Sequence, residues 1–489
     1  MTYCDLVIRN ARIATSSDVF RGDIGIRRER ISVIAEELPQ GRMEIDAGGS
    51  LVTPGGVDSH CHIEQLSAGG LMNADTFESA TRAALLGGTT TVIPFAAQHV
   101  GMSLRKVVED YHALAERGAM ADYAFHMILA DPRPEVLREE LPGLVRDGHG
   151  SLKCFLTYDR IRLHDEQFLD VLLAARTHGC MVCVHAENHG MIDWMGRRLV
   201  DRGYTRPVHH AVSHPRLAEE EAINRAISLA ALIDQPLMIF HVSTKEGLGV
   251  IRRWQGDGQK VFGETCTHYL TMTREALDRP GIEGGMWVCS PPLREESDRQ
   301  ALWQGLATGV LATISSDHAP YRMDETGKLA AGPEPTFKQM ANGMGGLGMR
   351  MPVLFDAMVS RGGMDVRDFV RLTAAEPARI YGLGERKGSI AIGKDADLVI
   401  WDEEREIRLT HEHVDDNTGY NPYAGRLVKG WPAMVIRRGE VVVGQGELKA
   451  AAGSGRFLAR GGGSAARSSG GIAAEFDTKR NFGADLYRE

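Results

Sequence analysis

Six residues in this sequence have side chains and spacings suited to holding metal ions: His60, His62, Lys153, His185, His241 and Asp317. His60 and His62 stand two apart in Asp58-Ser59-His60-Cys61-His62, so on a strand both imidazoles project to one side and form a clamp. Lys153 lies inside the apolar run Ser151-Leu152-Lys153-Cys154-Phe155, where an unpaired ammonium is expensive to bury. His185 and His241 close two further apolar runs, and Asp317 follows Ile314-Ser315-Ser316. Each has an ordinary reading when taken singly. A histidine at a strand end is commonly a satisfied polar residue, an H-x-H pair is a weak signal, and Asp317-His318 could mark a turn. Their joint placement at strand ends is what points to a site.

The donor types then select the chemistry. Imidazole nitrogen with carboxylate oxygen suits zinc, and manganese or cobalt is compatible. Four histidines and one carboxylate are too many for one catalytic ion that keeps a position open, so two divalent ions fit better. An ammonium beside two dications is repelled, which requires Lys153 to be neutral or modified. A carbamate formed with CO₂ converts the cation to an anion with one oxygen for each metal.

Such residues must be gathered by a repeating scaffold. Apolar β-type runs begin near Leu51, Thr89, Tyr123, Ser151, Met181, Pro236, Lys260 and Leu311, with helical patterns between them, as at 75–86, 104–116, 166–177 and 217–232. Eight such units are the number that a (β/α)₈ TIM-like barrel requires, and that fold collects functional groups at the C-terminal ends of its strands. A doubly wound open sheet is the alternative, which the repeat count disfavours. Short alternating runs at both chain ends predict a small β-sandwich built from residues 1–53 and 385–450, flanking an α/β barrel at 54–384. Residues 451–489, rich in Gly and Ser, predict an extended or partly disordered tail.

Composition narrows the class. A net charge of −9 gives no broad electrostatic footprint for nucleic acid. Membrane association is not expected either, since no apolar run reaches the roughly 18 residues that span a bilayer. The N-terminus lacks the basic-then-apolar layout of a signal peptide. Seven scattered cysteines suit a reducing cytoplasm, and Cys180 and Cys183 in an apolar strand diverge rather than form a redox or zinc pair.

Over about Asp5 to Arg460 the sequence resembles the cyclic amidohydrolases of dihydropyrimidinase and D-hydantoinase type. The likeness is carried by Pro54-Gly55-Gly56-Val57-Asp58-Ser59-His60-Cys61-His62, Gly87-Gly88-Thr89-Thr90-Thr91 and Lys153-Cys154-Phe155-Leu156-Thr157-Tyr158. It continues through His185-Ala186-Glu187-Asn188, His241-Val242-Ser243, Glu264-Thr265-Cys266, Cys289-Ser290-Pro291-Pro292-Leu293-Arg294, Ser316-Asp317-His318 and Tyr420-Asn421-Pro422-Tyr423. The resemblance implies hydrolysis of a cyclic ureide or imide, a hydantoin or 5,6-dihydropyrimidine, to an N-carbamoyl amino acid. It implies that His60, His62 and Asp317 hold one metal, that His185 and His241 hold the other, and that carboxylated Lys153 bridges them. Tyr158 would donate to the oxyanion, Asp317 would move the proton, and Ser290 and Asn342 would hold the imide edge, largely through backbone groups. A homotetramer is the assembly that it implies.

Several positions depart from that pattern. Ile63, Glu64 and Gln65 follow the H-x-H pair where dihydroorotases place an arginine, which disfavours an acidic ring substrate; allantoinase shares the metal set and stays open. The loop 65–72 lacks an aromatic residue, and its Leu66, Leu71 and Met72 predict an adaptable apolar wall. Gly343 follows Asn342 in Asn342-Gly343-Met344-Gly345-Gly346, a segment with Gly where relatives commonly have Pro, and Thr267-His268 replaces the usual Pro-Gln. Some relatives have lost their ligands and serve as non-catalytic interaction proteins, but every ligand position is filled here.

Overall fold

The apolar stretch that opens at Leu51 serves two sheets, not one. In the computed structural model, which describes residues 4–471 and 473–487, Leu51–Pro54 pairs with Leu6–Ala14 and Leu398–Arg408, whereas Gly56–Cys61 begins a parallel barrel. Gly55 makes the crossing between them. A Cβ there would lie 2.2 Å from Thr90 Oγ1, an approach that only glycine permits.

The barrel strands follow in chain order, each parallel to the next: Gly56–Cys61, Thr89–Ala97, His126–Ile128, Ser151–Phe155, Met181–His185, Leu237–Ile239, Val261–Cys266 and Leu311–Ser315. The intervening helices include Phe77–Leu86, Leu104–Gly118, Asp165–His178 and Arg216–Ile233, close to the expected ranges. Capping sets their starts: the Thr76 side chain accepts from Ser79 N, and that of Ser103 from Lys106 N. Asp75 therefore falls outside its helix.

Between the last strand and the first, the barrel closes through side chains and single bridges. A parallel bridge joins Cys61 to His318, and the Asp58 carboxylate accepts from Ser316 N at 3.2 Å. Arg350, fully buried, spans the same seam. It donates to Ile314 O at 3.0 Å, to Val57 O at 2.8 Å and to Thr373 O at 2.7 Å.

The chain ends form one nine-stranded mixed sheet whose central pairings join Leu6–Ala14, Leu51–Pro54, Leu398–Arg408 and Leu427–Arg437. Its core contains Ile8, Ile24, Val52, Leu398, Ile400 and Ile436. Trp401 stacks on Phe355 with ring centroids 4.0 Å apart and ties this sheet to the helical layer.

The stretch after 451 differs from what its composition suggests, because much of its first half is packed. Leu458, Ala465 and Ala466 are buried, and Arg460 enters the N-terminal end of the barrel to bond Phe125 O and Ser151 Oγ. Its glycines allow close backbone contact: a Cβ on Gly462 would lie 2.1 Å from Gly179 O. All seven cysteines are buried and free, and no described helix is long and apolar enough to cross a membrane.

Replacing Arg350 with Met should leave three buried carbonyls at the seam without their donor. A loss of about 3–5 kcal/mol is expected, read as a lower urea midpoint at fixed metal content. An unchanged midpoint would show that the seam holds without it.

Candidate metal centre

All six residues selected from the sequence line one cavity of about 350 Å³, together with Tyr158, Ser290 and Asn342. His60 comes from the end of the first barrel strand with His62 just beyond it, Lys153 from the middle of the fourth, and His185 from the end of the fifth. His241 lies two residues past Leu237–Ile239, and Asp317 two past Leu311–Ser315. The donor atoms of His60, His62 and Asp317 lie within 4.8 Å of one another, as a shared cation would require.

Hydrogen bonds mark which ring nitrogen His60 and His62 offer. His60 Nδ1 lies 2.7 Å from Glu264 Oε1, and His62 Nδ1 lies 2.7 Å from Gln65 Oε1. Each acceptor oxygen demands an N–H at Nδ1, which leaves Nε2 as the lone-pair nitrogen. Those Nε2 atoms stand 3.1 Å and 3.3 Å from Asp317 Oδ1. The His60 Nε2 contact is not aligned as a hydrogen bond, so this buried atom has no partner. His241 Nδ1 and Lys153 Nζ are likewise buried without partners. His185 Nε2 lies 2.8 Å from Glu187 Oε2, and its ring packs 4.3 Å from that of His241.

Lys153 is surrounded by aromatic faces, with Nζ 4.2 Å from the Phe240 centroid, 4.9 Å from Phe155 and 5.5 Å from Phe95. Burial lowers its amine to about 8, against the pull of Asp317. Burial also holds His185 and His241 well below the usual imidazole range, with the Lys153 charge adding to it. Asp317 runs the other way: burial works to raise it, but the His60 ring and the His62 ring beside it keep it well below the ordinary carboxylate range. Burial raises the Tyr158 phenol despite hydrogen bonds to Ser290 and Asn342, so it stays protonated as a donor.

Three of these residues sit on strained backbone. Tyr158, His241 and Asp317 have φ of 72°, 41° and 45°, in the left-handed region that side chains disfavour. Such positions cost roughly 1–3 kcal/mol each and persist where surrounding structure enforces them.

Glu264 received no role from the sequence, although an acid inside an apolar strand carries the same signal that singled out Lys153. Gln65 and Glu187 were also given no role, nor was the Asp75–His318 pair, 2.9 Å apart, which anchors the residue after Asp317. The Cys266, His268 and Asp317 donor atoms lie within 4.8 Å of one another, so the Thr267-His268 departure falls beside Asp317. Of the expected apolar wall, Leu71 lines the cavity, whereas Leu66 and Met72 bridge each other and are exposed. Phe155, Ile161 and Tyr321 supply apolar and aromatic surface instead.

Residues 51–442 match the model of the amidohydrolase family. This chain belongs to that family. It is 37% identical to a D-hydantoinase of Ralstonia pickettii over 93% of this chain and 99% of that one. It is 39% identical to a D-hydantoinase of Streptomyces coelicolor over 93% and 97%. Among solved structures it is similar to the dihydropyrimidinase of Brevibacillus agri, with a TM-score of 0.90 and 35% identity over 94% of this chain and 99% of that one. Amidohydrolase membership and the unpartnered His60, Lys153 and His241 atoms together support divalent metal at this site.

Glu264→Gln replaces the carboxylate that orients His60. Metal affinity should fall on the order of 10- to 100-fold, measured by competition with a chelator. Undiminished affinity would remove Glu264 from the centre's support.

Proposed function

We propose that this amidohydrolase opens a cyclic ureide or imide, a hydantoin or 5,6-dihydropyrimidine, and releases an N-carbamoyl amino acid. The observation that carries the reading is Lys153: a buried amine without a partner, on a barrel strand, lining one cavity with four histidines and Asp317. His60, His62 and Asp317 would hold one divalent ion, zinc in our reading, and His185 and His241 a second. Reaction of the neutral Lys153 amine with CO₂ forms a carbamate and releases a proton, and its two oxygens would serve both ions. When bound, the pair supplies a nucleophile at neutral pH and polarises the substrate carbonyl.

The chain's own groups do the rest. Tyr158, held protonated by burial, donates its hydroxyl hydrogen to the oxygen that gains charge as the ring carbonyl is attacked. Asp317, kept ionised by its histidine neighbours, accepts the nucleophile's proton and delivers it to the departing ring nitrogen. Ser290 and Asn342 line the cavity beside Tyr158 and present the imide-binding edge. Leu71, Phe155 and Ile161 receive the ring's 5-substituent. The barrel, residues 54–384, carries all of these groups in our reading. Free cysteines suit a reducing compartment, and a cytoplasmic homotetramer is the state that we propose.

Rates with dihydrouracil, phenylhydantoin, allantoin and a simple cyclic imide test the substrate class. Opening of the hydantoin or the dihydropyrimidine fastest is the expected outcome; opening of none would refute the reading. Lys153→Ala should lower both bound metal and activity, the latter on the order of 100-fold or more. Retention of both would refute the bridging role.

A further inference from the structure

The segment that carries Ser290 is held from behind, carbonyl by carbonyl. Val288 O accepts from Lys328 Nζ at 2.9 Å and from Gly343 N at 2.9 Å. Cys289 O receives His210 Nε2 at 2.7 Å, and Pro291 O receives the Tyr269 hydroxyl at 2.5 Å. Among the described residues, none donates to the Ser290 carbonyl, which is left for a ligand.

The neighbouring Asn342 segment is tied to the same amine. Lys328 Nζ also donates to Ala341 O at 3.1 Å, one residue before Asn342. Position 343 accepts only glycine, because its φ is +152° and a Cβ would lie 2.3 Å from Ala319 O. Lys328 itself is fully buried, does not line the cavity, and has no carboxylate within ion-pair reach among the described residues. Burial lowers its amine to about 7. An apolar side chain of that length would fill the space without the cost of desolvating an amine, so packing does not explain this residue. Its two carbonyl partners do.

We propose that Lys328 is a positioning residue for substrate binding: by bonding the Val288 and Ala341 carbonyls at once, it sets the spacing between the Ser290 and Asn342 walls of the cavity. This rests on the reading that those two residues hold the substrate's imide edge. Tyr158 lines the same cavity as Ser290 and Asn342, so the same spacing bears on that hydroxyl. An imide edge presents its carbonyl and N–H groups at fixed separation, and a shift in either wall breaks the match. Misplacements of this kind cost up to about 100-fold without touching the reacting groups.

Lys328→Met in the metal-loaded enzyme tests it, using the substrate that the wild type opens fastest. KM should rise on the order of 10- to 100-fold, with the larger part of the loss in kcat/KM carried by KM and with metal content unchanged. Lys328→Gln keeps an N–H donor on a shorter stem and should recover part of the lost affinity. An unchanged KM in the folded Met variant overturns the proposal. So does a loss that follows metal content or thermal midpoint rather than KM, or failure of both variants to fold, since each assigns the amine to the fold alone. A wild type that opens no cyclic amide sinks the underlying reading instead, before any variant is compared.

Discussion

An amine that is fully buried against the faces of Phe95, Phe155 and Phe240, with no hydrogen-bond acceptor, is the constraint from which the rest of this structure follows. Aromatic faces offset part of a cation's desolvation, but they do not replace the water or carboxylate that an ammonium normally keeps. The group is therefore pushed toward its neutral form, which is also the form that can become a carbamate. Around it stand four histidines, two of them with a buried unpartnered nitrogen, and an aspartate held ionised, a donor set suited to divalent cations.

That arrangement depends on the barrel seam. His60, His62 and Asp317 come from opposite sides of the junction between the first and last strands, where no continuous ladder holds the sheet. Arg350, Asp58 and the Cys61–His318 bridge replace the ladder with side-chain bonds. A buried guanidinium costs desolvation, yet its planar fork can reach carbonyls on several elements at once, which no apolar residue can do. The left-handed backbone at Asp317 is tolerable because Asp75 and Gly346 N hold the ring of the next residue, His318.

Burial of polar groups recurs as the means by which this fold fixes geometry. Lys328 acts on backbone carbonyls behind the cavity, Arg460 on carbonyls at the opposite end of the barrel, and Glu264 on a ligand ring. Each leaves a large penalty if its partner moves, so each narrows the positions available to the site.

The ligand types, their strand-end placement and the eight-unit scaffold were legible in the sequence, because strand parity and the cost of burying charge act locally. The helix at 75–86 shows how far that goes: its pattern gave the element, while Asp75 left it to serve His318 across the fold. The run at Leu51 reads as the opening of the barrel, with the domain boundary at 53/54; the close packing of Gly55 on Thr90 is what places the crossing between sheets. The tail's Gly and Ser content read as lack of core, whereas glycine there allows backbones to touch, and that depends on what lies opposite. Leu66 and Met72 looked equivalent to Leu71 until the loop paired them outward. The sequence by itself determined which side chains could bind metal and what chemistry that would be. The tertiary structure alone decided which nitrogen His60 offers, that Glu264 stands behind it and that Lys328 joins the Val288 and Ala341 carbonyls, because those depend on how separate elements pack.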